Sequence, residues 1–458
     1  MNDLCVFAVK RGNLNERFDV YYWQYDFRAL DEKLDNCKFD VVPLESLIIE
    51  KQGVKDGPGG WLINKSEYVD EGIPMLRGVN ILEGRVDLAN TVFITEEKHE
   101  QLAASEALSG DILITMRGTF GRAAILPKSI PRVNMNAALC RIRLKDSSLS
   151  EYLMWYLNSN IAYKQFKRHG TKAVQDDLNL GYIKALKVIL PNTEKRNYIL
   201  KQLLDAKLFS FNKQLQANDL LMSFERNLTS VFELKQTTLK KNCFAIRLKD
   251  LDGVIDAKRY ASMTTHASKF KIFDVCDIVD EKVNVSIFDK KTIDWIRIDD
   301  LPNQPLDIEE VRTQPANEVE GTCFEVQKGD ILVARLGPTI LNQKIVMVRS
   351  VERTTIASAE FLVLRCKKGY NPEAVMAVLK TAYYRDLMYS HARGSTPSRY
   401  RLNREDMLKL PFPDIREHQD KIANDANNVR EQVKSMRIQA EQEWQEARKQ
   451  FEKELLGE

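Results

Sequence analysis

The sequence is short of several features that would define a class of protein. In its 458 residues no apolar run approaches the roughly 20 residues that span a bilayer, so we expect no membrane segment. The opening residues, Met1–Cys5, carry neither a basic lead nor an apolar stretch, so we expect no signal peptide. The 7 cysteines are scattered without a Cys-x-x-Cys pair. That favours reduced thiols in a cytoplasmic protein over a disulfide framework or a zinc knuckle.

Net charge is also nearly absent. The 68 lysines and arginines almost cancel the 65 aspartates and glutamates, which leaves a formal charge of +3. This balance excludes a protein that is basic throughout. A polyanion would therefore have to be bound by local basic patches.

Motifs that carry catalysis are missing as well. The chain has no Gly-x-x-x-x-Gly-Lys-Ser/Thr loop for nucleotide phosphates, and no Asn-Pro-Pro-aromatic or Asp-Pro-Pro-Tyr motif of an amino-methyltransferase. The 5 histidines show no metal-ligand spacing. Asp-x-Lys triplets at 31–33 and 280–282 have the spacing of a nuclease site but are frequent by chance in a chain that is 29% charged. We predict that the chain is not an enzyme and holds no metal or cofactor of its own.

What the chain does contain is an internal repeat with a period of about 220 residues. The landmarks of the first copy return in the second: Ile-x-x-x-Arg at 73–77 and 293–297, Gly-Asp-Ile-Leu at 110–113 and 329–332, Gly-Thr or Gly-Ser at 170–171 and 394–395, Leu-Asn at 178–179 and 402–403, and Leu-Pro at 190–191 and 410–411. Because these landmarks keep their order and spacing, they predict a tandem-duplicated domain with loop insertions.

Each copy ends in a long segment with the apolar spacing of a coiled coil. The predicted stripe of the C-terminal segment comprises Ile422, Ala426, Val429, Val433, Met436, Ala440, Trp444, Ala447, Phe451 and Leu455. That of the first segment comprises Ile199, Leu204, Leu208, Phe211, Leu215, Leu221, Phe224, Leu228 and Val231. A long helix with one apolar stripe needs a partner in water. We expect the two helices to pair with each other; the alternative is that each packs on its own copy or mediates dimerisation.

The globular part of each copy has short apolar, β-branched runs that predict strands. They lie at 111–116 and 140–144 in the first copy, and at 330–334 and 361–366 in the second. Amphipathic patterns predict one helix over 151–166 and one over 372–389. The expected fold class is α+β, with two β-rich copies and two long helices that pair as an antiparallel coiled coil.

Basic, amide and hydroxyl side chains recur at the turns of both copies. In the first copy they are Arg77, Asn80, Arg117, Thr119, Arg122, Asn134, Asn136, Arg168, His169, Thr171 and Lys172. In the second they are Arg297, Arg335, Thr339, Asn342, Gln343, Lys344, Arg393, Ser395, Thr396, Ser398, Arg399 and Arg401. Arginine binds phosphates or guanine, and asparagine and glutamine bind adenine, so as a repeated group they favour DNA binding. For any single residue, the alternative is a solvated loop position.

With these landmarks, the chain resembles the specificity (S) subunits of Type I restriction–modification systems over nearly its whole length. The resemblance rests on the duplicated Gly-Asp-Ile-Leu and Ile-x-x-x-Arg segments, the Gly-Thr/Ser landmarks with their following Leu-Asn and Leu-Pro, and the two terminal helices. It implies target recognition domains at 1–191 and 236–413, and spacer helices at 192–235 and 414–458.

The resemblance also implies a function and partners. The two target recognition domains would recognise a bipartite sequence in double-stranded DNA. Our own hypothesis is that Arg117 and Arg335 each contact one half-site, because we expect them to occupy equivalent positions in the two copies. Two methyltransferase subunits, bound to the coiled coil, would carry S-adenosylmethionine and methylate adenine. A motor-nuclease subunit would cleave unmodified DNA in host defence. The alternatives are a coiled-coil scaffold that binds no DNA, and an S-like subunit of a Type II system with bipartite sites.

Overall fold

The computed structural model of the protein describes residues 21–59, 62–169, 178–234, 270–283 and 291–458. It divides the chain into two compact units. The first unit comprises Met1–Ser210 and Glu441–Glu458, and the second comprises Phe211–Ala440. The unit boundaries fall inside the two long helices, so the domain limits drawn from the sequence stay a prediction.

Each unit combines short strands with helices. The helices that lie wholly in the first unit are α1 (Tyr25–Asp35), α2 (Leu44–Leu47), α3 (Glu96–Gln101), α4 (Ser150–Leu157), α5 (Asn160–His169) and α6 (Leu180–Ala185). Its strands are β1 (Asp40–Pro43), β2 (Val54–Asp56), β3 (Ile73–Leu76), β4 (Ile81–Leu82), β5 (Arg85–Val86), β6 (Val92–Ile94), β7 (Glu106–Leu108), β8 (Ile112–Thr115), β9 (Ala123–Ile125), β10 (Arg132–Met135), β11 (Leu139–Ile142) and β12 (Lys187–Leu190).

The second unit follows the same order of elements. The long helix α7 (Thr193–Val231) joins the two units. The helices that come after it are α8 (Ile272–Val275), α9 (Gly337–Leu341), α10 (Pro372–Leu379), α11 (Ala382–His391), α12 (Arg404–Lys409) and α13 (Gln419–Leu456). The strands are β13 (Cys276–Ile278), β14 (Lys282–Val283), β15 (Thr292–Ile296), β16 (Arg312–Pro315), β17 (Cys323–Glu325), β18 (Ile331–Ala334), β19 (Ile345–Met347), β20 (Thr355–Ser358) and β21 (Phe361–Cys366).

The sheets of the two units have the same topology. The strand order β2-β11-β8-β9 in the first unit corresponds to β13-β21-β18-β19 in the second, with antiparallel neighbours throughout. The other sheet, β7-β10-β3-β6, corresponds to β17-β20-β15-β16, with β14 added at one edge. In both units its parallel pair is the same, β3 with β10 and β15 with β20. The predicted duplication and the α+β class are therefore confirmed.

The strands that follow the Gly-Asp turns form the centre of each unit. All four residues of β8 are buried, because alternate side chains point to opposite faces and both faces are covered. Leu113 packs in a cluster with residues of β3 and β10, whereas Ile112 and Ile114 pack with α4. In β18, Leu332 packs in a cluster with residues of β15 and β20, whereas Val333 packs with α10.

Each of the two predicted helices of the globular parts is broken into two. In the first unit, Asn158 ends α4 by exchanging hydrogen bonds with the backbone of Ala123, at 3.0 and 2.9 Å. The hydroxyl of Ser159 then accepts from the N–H of Ala162 at the start of α5. In the second unit, Thr381 stands at the same break between α10 and α11 and donates to the carbonyl of Val378 at 2.9 Å. Short polar side chains that bond to the local backbone explain both breaks.

The two long helices pair in antiparallel fashion, as the sequence predicts. Within the first unit, Lys195 forms an ion pair with Glu454, and the Nζ of Lys207 lies 4.4 Å from the ring centroid of Trp444. Within the second unit, Leu228 packs in the same cluster as Ile422 and Ala426. Helix α7 has 39 residues and α13 has 38.

The stripe predicted for α13 is confirmed at seven positions, and that of α7 is wrong at four of its nine positions. Buried residues of α13 are Ile422, Ala426, Val433, Ala440, Trp444, Phe451 and Leu455. In α7 the buried face carries Ile199, Leu203, Ala206, Ser210, Ala217 and Leu228. The predicted residues Leu208, Phe211, Leu215 and Val231 are exposed. The prediction is right near the ends of the helix, at Ile199 and Leu228, and wrong in the middle, where the seam is formed by the small side chains of Ala206, Ser210 and Ala217.

Candidate nucleic-acid interface

In the first unit, the loop between β8 and β9 presents two arginines. Arg117, Thr119 and Arg122 are exposed. Gly118 and Gly121 have φ of 74° and 85°, a backbone conformation that favours glycine. The hydroxyl of Thr115, at the end of β8, donates to the carbonyl of Thr119 at 2.6 Å and accepts from the N–H of Arg122 at 3.0 Å. The loop is thus held at its base while its basic side chains face solvent.

Three residues of the first unit that the sequence predicts to contact DNA form hydrogen bonds or ion pairs within the protein. Two of them are asparagines. Asn80 is 1% exposed and its amide donates to the carbonyl of Asp87 at 2.9 Å. Asn134 is 0% exposed, and its side-chain oxygen accepts from the hydroxyl of Ser105 at 2.8 Å. Because buried amides must find partners, both were selected for the core. DNA contact by Asn80 and Asn134 stays a prediction, and their burial and internal hydrogen bonds disfavour it.

Arg168 is the third of these residues. It is 9% exposed, pairs with Asp31 at 2.5 Å, and its guanidinium lies 3.9 Å from the ring centroid of Tyr22. Its side chain holds the segment before α1 against α5, which disfavours the DNA contact that the sequence predicts for it. The neighbouring His169 is half-buried and stacks on Tyr182 at 4.2 Å. The predicted contacts Thr171 and Lys172 lie outside the described residues.

Two further candidates of the first unit lie near the surface. Arg77 is half-buried, and its guanidinium donates to the carbonyl of Asn90. Asn136 is half-buried, and its side-chain oxygen accepts from the N–H of Ala138 at 3.1 Å. Both remain predicted contacts, less favourable than the exposed arginines of the loop after β8.

In the second unit, a small hairpin presents most of the predicted residues. Arg393 and Arg401 pair through their backbones at 3.0 and 2.8 Å. The side chains between them that face solvent are Ser395, Thr396, Ser398 and Arg399. A Cβ on Gly394 would lie 2.4 Å from the carbonyl oxygen of Arg399, so the turn requires glycine. We call residues 393–401 the basic hairpin.

The basic hairpin is fastened to the end of the central strand β18. The N–H of Leu402 donates to the carbonyl of Arg335 at 2.8 Å, and the N–H of Gly337 donates to the carbonyl of Tyr400 at 2.7 Å. Arg335 is therefore brought next to the hairpin. Burial lowers the pKa of Arg335, and the nearby charge of Arg401 lowers it further.

The remaining candidates of the second unit bond within the protein. Arg297 pairs with Asp299 at 3.1 Å. Thr339, Gln343 and Lys344 donate through their side chains to backbone carbonyls at 2.7, 2.7 and 3.0 Å. Asn342 is half-buried, and its carbonyl accepts from the N–H of Gln304 at 2.9 Å. The structure brings Arg335 together with the hairpin and leaves these five as a separate, less exposed group.

Sequence reasoning missed one acidic residue of this surface and misaligned one position. Glu360 precedes β21 and accepts from the guanidinium of Arg401 at 2.9 Å. The predicted equivalence of Arg117 and Arg335 is wrong by one residue. Met116 occupies the place of Arg335, because the N–H of Leu178 donates to the carbonyl of Met116 as that of Leu402 does to Arg335. Extending the Gly-Asp-Ile-Leu alignment by three residues places Met116 opposite Arg335.

Other kinds of site were also sought. Within the described ranges, no group of three or more His, Cys, Asp or Glu side chains could hold a metal ion. None of the helices in that part of the chain is long and apolar enough to cross a membrane.

The chain combines a duplicated α+β fold, two paired long helices and basic loops. Comparison with known proteins places this combination in one class. Residues 57–218 match the family model of the Type I restriction modification DNA specificity domain. This match confirms the resemblance to Type I specificity subunits.

Two relatives of similar sequence also bear the name of type I specificity subunits. The Type I restriction enzyme EcoBI specificity subunit of Escherichia coli is 26% identical over 204 residues, which are 43% of this chain and 42% of that protein. The putative type I restriction enzyme MjaX specificity subunit of Methanocaldococcus jannaschii is 27% identical over 193 residues, 41% of this chain and 45% of that protein. The matched stretch thus spans less than half the length of each relative.

Among solved structures, the S subunit of a Type I restriction-modification system from M. genitalium covers 92% of this chain and 96% of its own, at 12% identity and a TM-score of 0.39. A chain from a study of complex assembly and conformational transition of the type I R-M system covers 91% of this chain and 97% of its own. Its identity is 14% and its TM-score 0.47.

Proposed function

We propose that the chain is the sequence-specific DNA-recognition subunit of a Type I restriction–modification complex. In this proposal each unit recognises one half of a bipartite target in double-stranded DNA. The main observation that supports this proposal is that one fold occurs twice, with exposed arginines near the ends of the corresponding strands β8 and β18. Arg117 and Arg122 follow β8 in the first unit, and Arg393, Arg399 and Arg401 lie beside the end of β18 in the second.

The chemistry of these residues suits duplex DNA. Arginine donates to phosphates and binds guanine with two parallel hydrogen bonds, and serine and threonine donate to either group. Two recognition units on one chain multiply selectivity, because the second half-site is bound at a high effective concentration. The net charge of +3 is small, so we expect weak binding by the chain alone, with a steep dependence on salt.

Catalysis belongs to partners in this proposal. The chain would be a non-catalytic subunit, and S-adenosylmethionine would bind in methyltransferase subunits that methylate adenine within the target. Two such subunits and a motor-nuclease subunit would complete the complex. A cytoplasmic location, as the sequence predicts, fits a protein whose ligand is cellular DNA and belongs to the same proposal.

The docking surface for the methyltransferase is proposed on α7. Leu208, Phe211, Leu215 and Met222 are 58, 53, 44 and 51% exposed. Their spacing of three, four and seven residues places them on one face of the helix. An exposed apolar face of this kind marks an interaction site. Because the occupant must bind along a helix that is already paired, we propose an amphipathic helix of the methyltransferase.

The test is selection by the reconstituted complex. The chain and its methyltransferase are incubated with random duplexes and S-adenosylmethionine, and methylated duplexes are sequenced. The proposal predicts two separated groups of specified base pairs with an unspecified spacer. Matched variants sharpen the result: Arg117→Ala with Arg122→Ala should relax one group only, and Arg399→Ala should weaken binding through the other unit. A complex that assembles but enriches no sequence would instead support the coiled-coil scaffold.

A further inference from the structure

Met116 and Arg335 occupy the same place in the two units, and their backbones are held alike. The N–H of Met116 donates to the carbonyl of Ala138 at 2.8 Å, and that of Arg335 donates to the carbonyl of Glu360 at 3.1 Å. The carbonyl of Met116 accepts from the N–H of Leu178 at 3.0 Å, and the carbonyl of Arg335 accepts from the N–H of Leu402 at 2.8 Å. The two side chains therefore leave equivalent backbone positions.

The side chains themselves differ in chemistry. Met116 is 5% exposed and packs in the apolar cluster of its unit. Arg335 is half-buried, and its Nε is buried with no hydrogen-bond partner among the described residues. The same holds for Oε2 of Glu360, whose Oε1 accepts from Arg401 at 2.9 Å. Because Arg335 is half-buried and not fully buried, the outer part of its guanidinium faces solvent, where a ligand can supply acceptors.

We propose that Arg335 is a specificity-determining residue that binds the O6 and N7 atoms of a guanine in the half-site of the second unit. The inference rests on the proposed DNA-recognition function. Arg401 lies nearby and pairs with Glu360 at 2.9 Å. Met116 has no donor to offer, so the half-site of the first unit lacks this guanine contact.

A base contact fits Arg335 better than a phosphate contact. Arg335 directly follows the fully buried strand β18, so its direction is fixed by the core. Its planar fork matches guanine with two parallel bonds, which demand such fixed geometry. Arg399, by contrast, is exposed in the basic hairpin and suits a phosphate, which accepts donors from many directions.

Two substitutions test the assignment in the reconstituted methyltransferase complex. Arg335→Met copies the residue of the first unit and should remove guanine preference at one base pair of the second half-site, by about 10- to 100-fold. Arg335→Gln should move the preference at that base pair from guanine toward adenine, because a glutamine amide pairs with adenine. Methylation rates on duplexes varied one base pair at a time give both results, and the half-site of the first unit should not change.

The matched control is Arg399→Ala, which should weaken binding equally on all sequences and lower the slope of binding against salt by about one. If Arg335→Met and Arg335→Gln behaved like this control, or left every base preference unchanged, the guanine assignment would be overturned while the recognition function stood. If the unmodified complex selected no sequence, the proposed function itself would fail. Thermal unfolding of each variant in the complex separates loss of fold from loss of contact.

Discussion

The carboxylate of Asp330 accepts two hydrogen bonds from the guanidinium of Arg365, at 2.8 and 2.7 Å. The first unit repeats this pair as Asp111 and Arg143, both bonds at 2.6 Å. Asp330 is 1% exposed and Asp111 is 4% exposed. Each Gly-Asp turn thus carries a buried carboxylate that is bonded to an arginine at the end of the neighbouring strand. The duplicated Gly-Asp landmark is thus explained by a paired carboxylate.

Removing the arginine of such a pair should destabilise its unit. We expect Arg365→Ala to lower the free energy of unfolding by roughly 3 kcal/mol, because it leaves the buried carboxylate of Asp330 without its counter-charge. Arg143→Ala should act similarly in the first unit. Urea unfolding followed by circular dichroism measures both. Arg132→Ala, which breaks an exposed pair with Glu96, is the control and should cost about 0.5 kcal/mol or less. Equal effects of Arg365→Ala and the control would contradict the structural role.

A half-buried lysine, Lys380, should make the stability of the second unit depend on pH. Burial lowers the pKa of Lys380 to about 8, against the nearby charges of Asp307 and Glu373. The unfolded chain therefore binds more protons than the folded chain between pH 8 and about 10.4, and stability rises with pH across this window. Relative to Lys380→Met, the wild-type protein should gain up to about 1.4 kcal/mol per pH unit there. A difference between the two proteins that stays constant from pH 8 to 10 would contradict this account.

The apolar face of α7 should control assembly. Leu215→Glu or Met222→Glu places a charge in the proposed contact with the methyltransferase, so we expect the dissociation constant to rise by at least about tenfold. Isothermal titration with the methyltransferase subunit measures it. Val351→Glu changes a residue that is 40% exposed on a loop and should leave the constant unchanged. If all three variants bound the methyltransferase alike, the docking face would lie elsewhere.

Much of the fold follows from local patterns in the sequence. The Gly-Asp turns before β8 and β18 predict strands because a turn signal precedes a β-branched apolar run. The stripe of α13 was found because its seam uses large residues such as Trp444 and Phe451, which stand out from a charged background.

Other features depend on partners that the sequence does not reveal. Asn134 has the type of a base-contacting residue, but its place in the core depends on Ser105, which is 29 residues away. The middle of the α7 seam was misplaced because Ala206, Ser210 and Ala217, which are buried there, contribute little hydrophobicity to the sequence pattern. Arg335 was matched to Arg117, whereas the hydrogen bonds that Leu178 donates to Met116 and Leu402 donates to Arg335 show that Arg335 corresponds to Met116.

The central claim is that two recognition units on one chain are spaced by the helix pair. Asn218 of α7 and Val429 of α13 line the same cavity, so these positions of the two paired helices are neighbours. Insertions near them therefore lengthen both helices at the same place. Seven residues inserted after Asn218 and seven after Gln432 keep the heptad phase and add about 10 Å, the length of about three base pairs. Methylation mapping on duplexes with spacers of graded length should show the preferred spacer longer by about three base pairs, with both half-sites unchanged. An unchanged spacer in an assembled, active complex would contradict the claim.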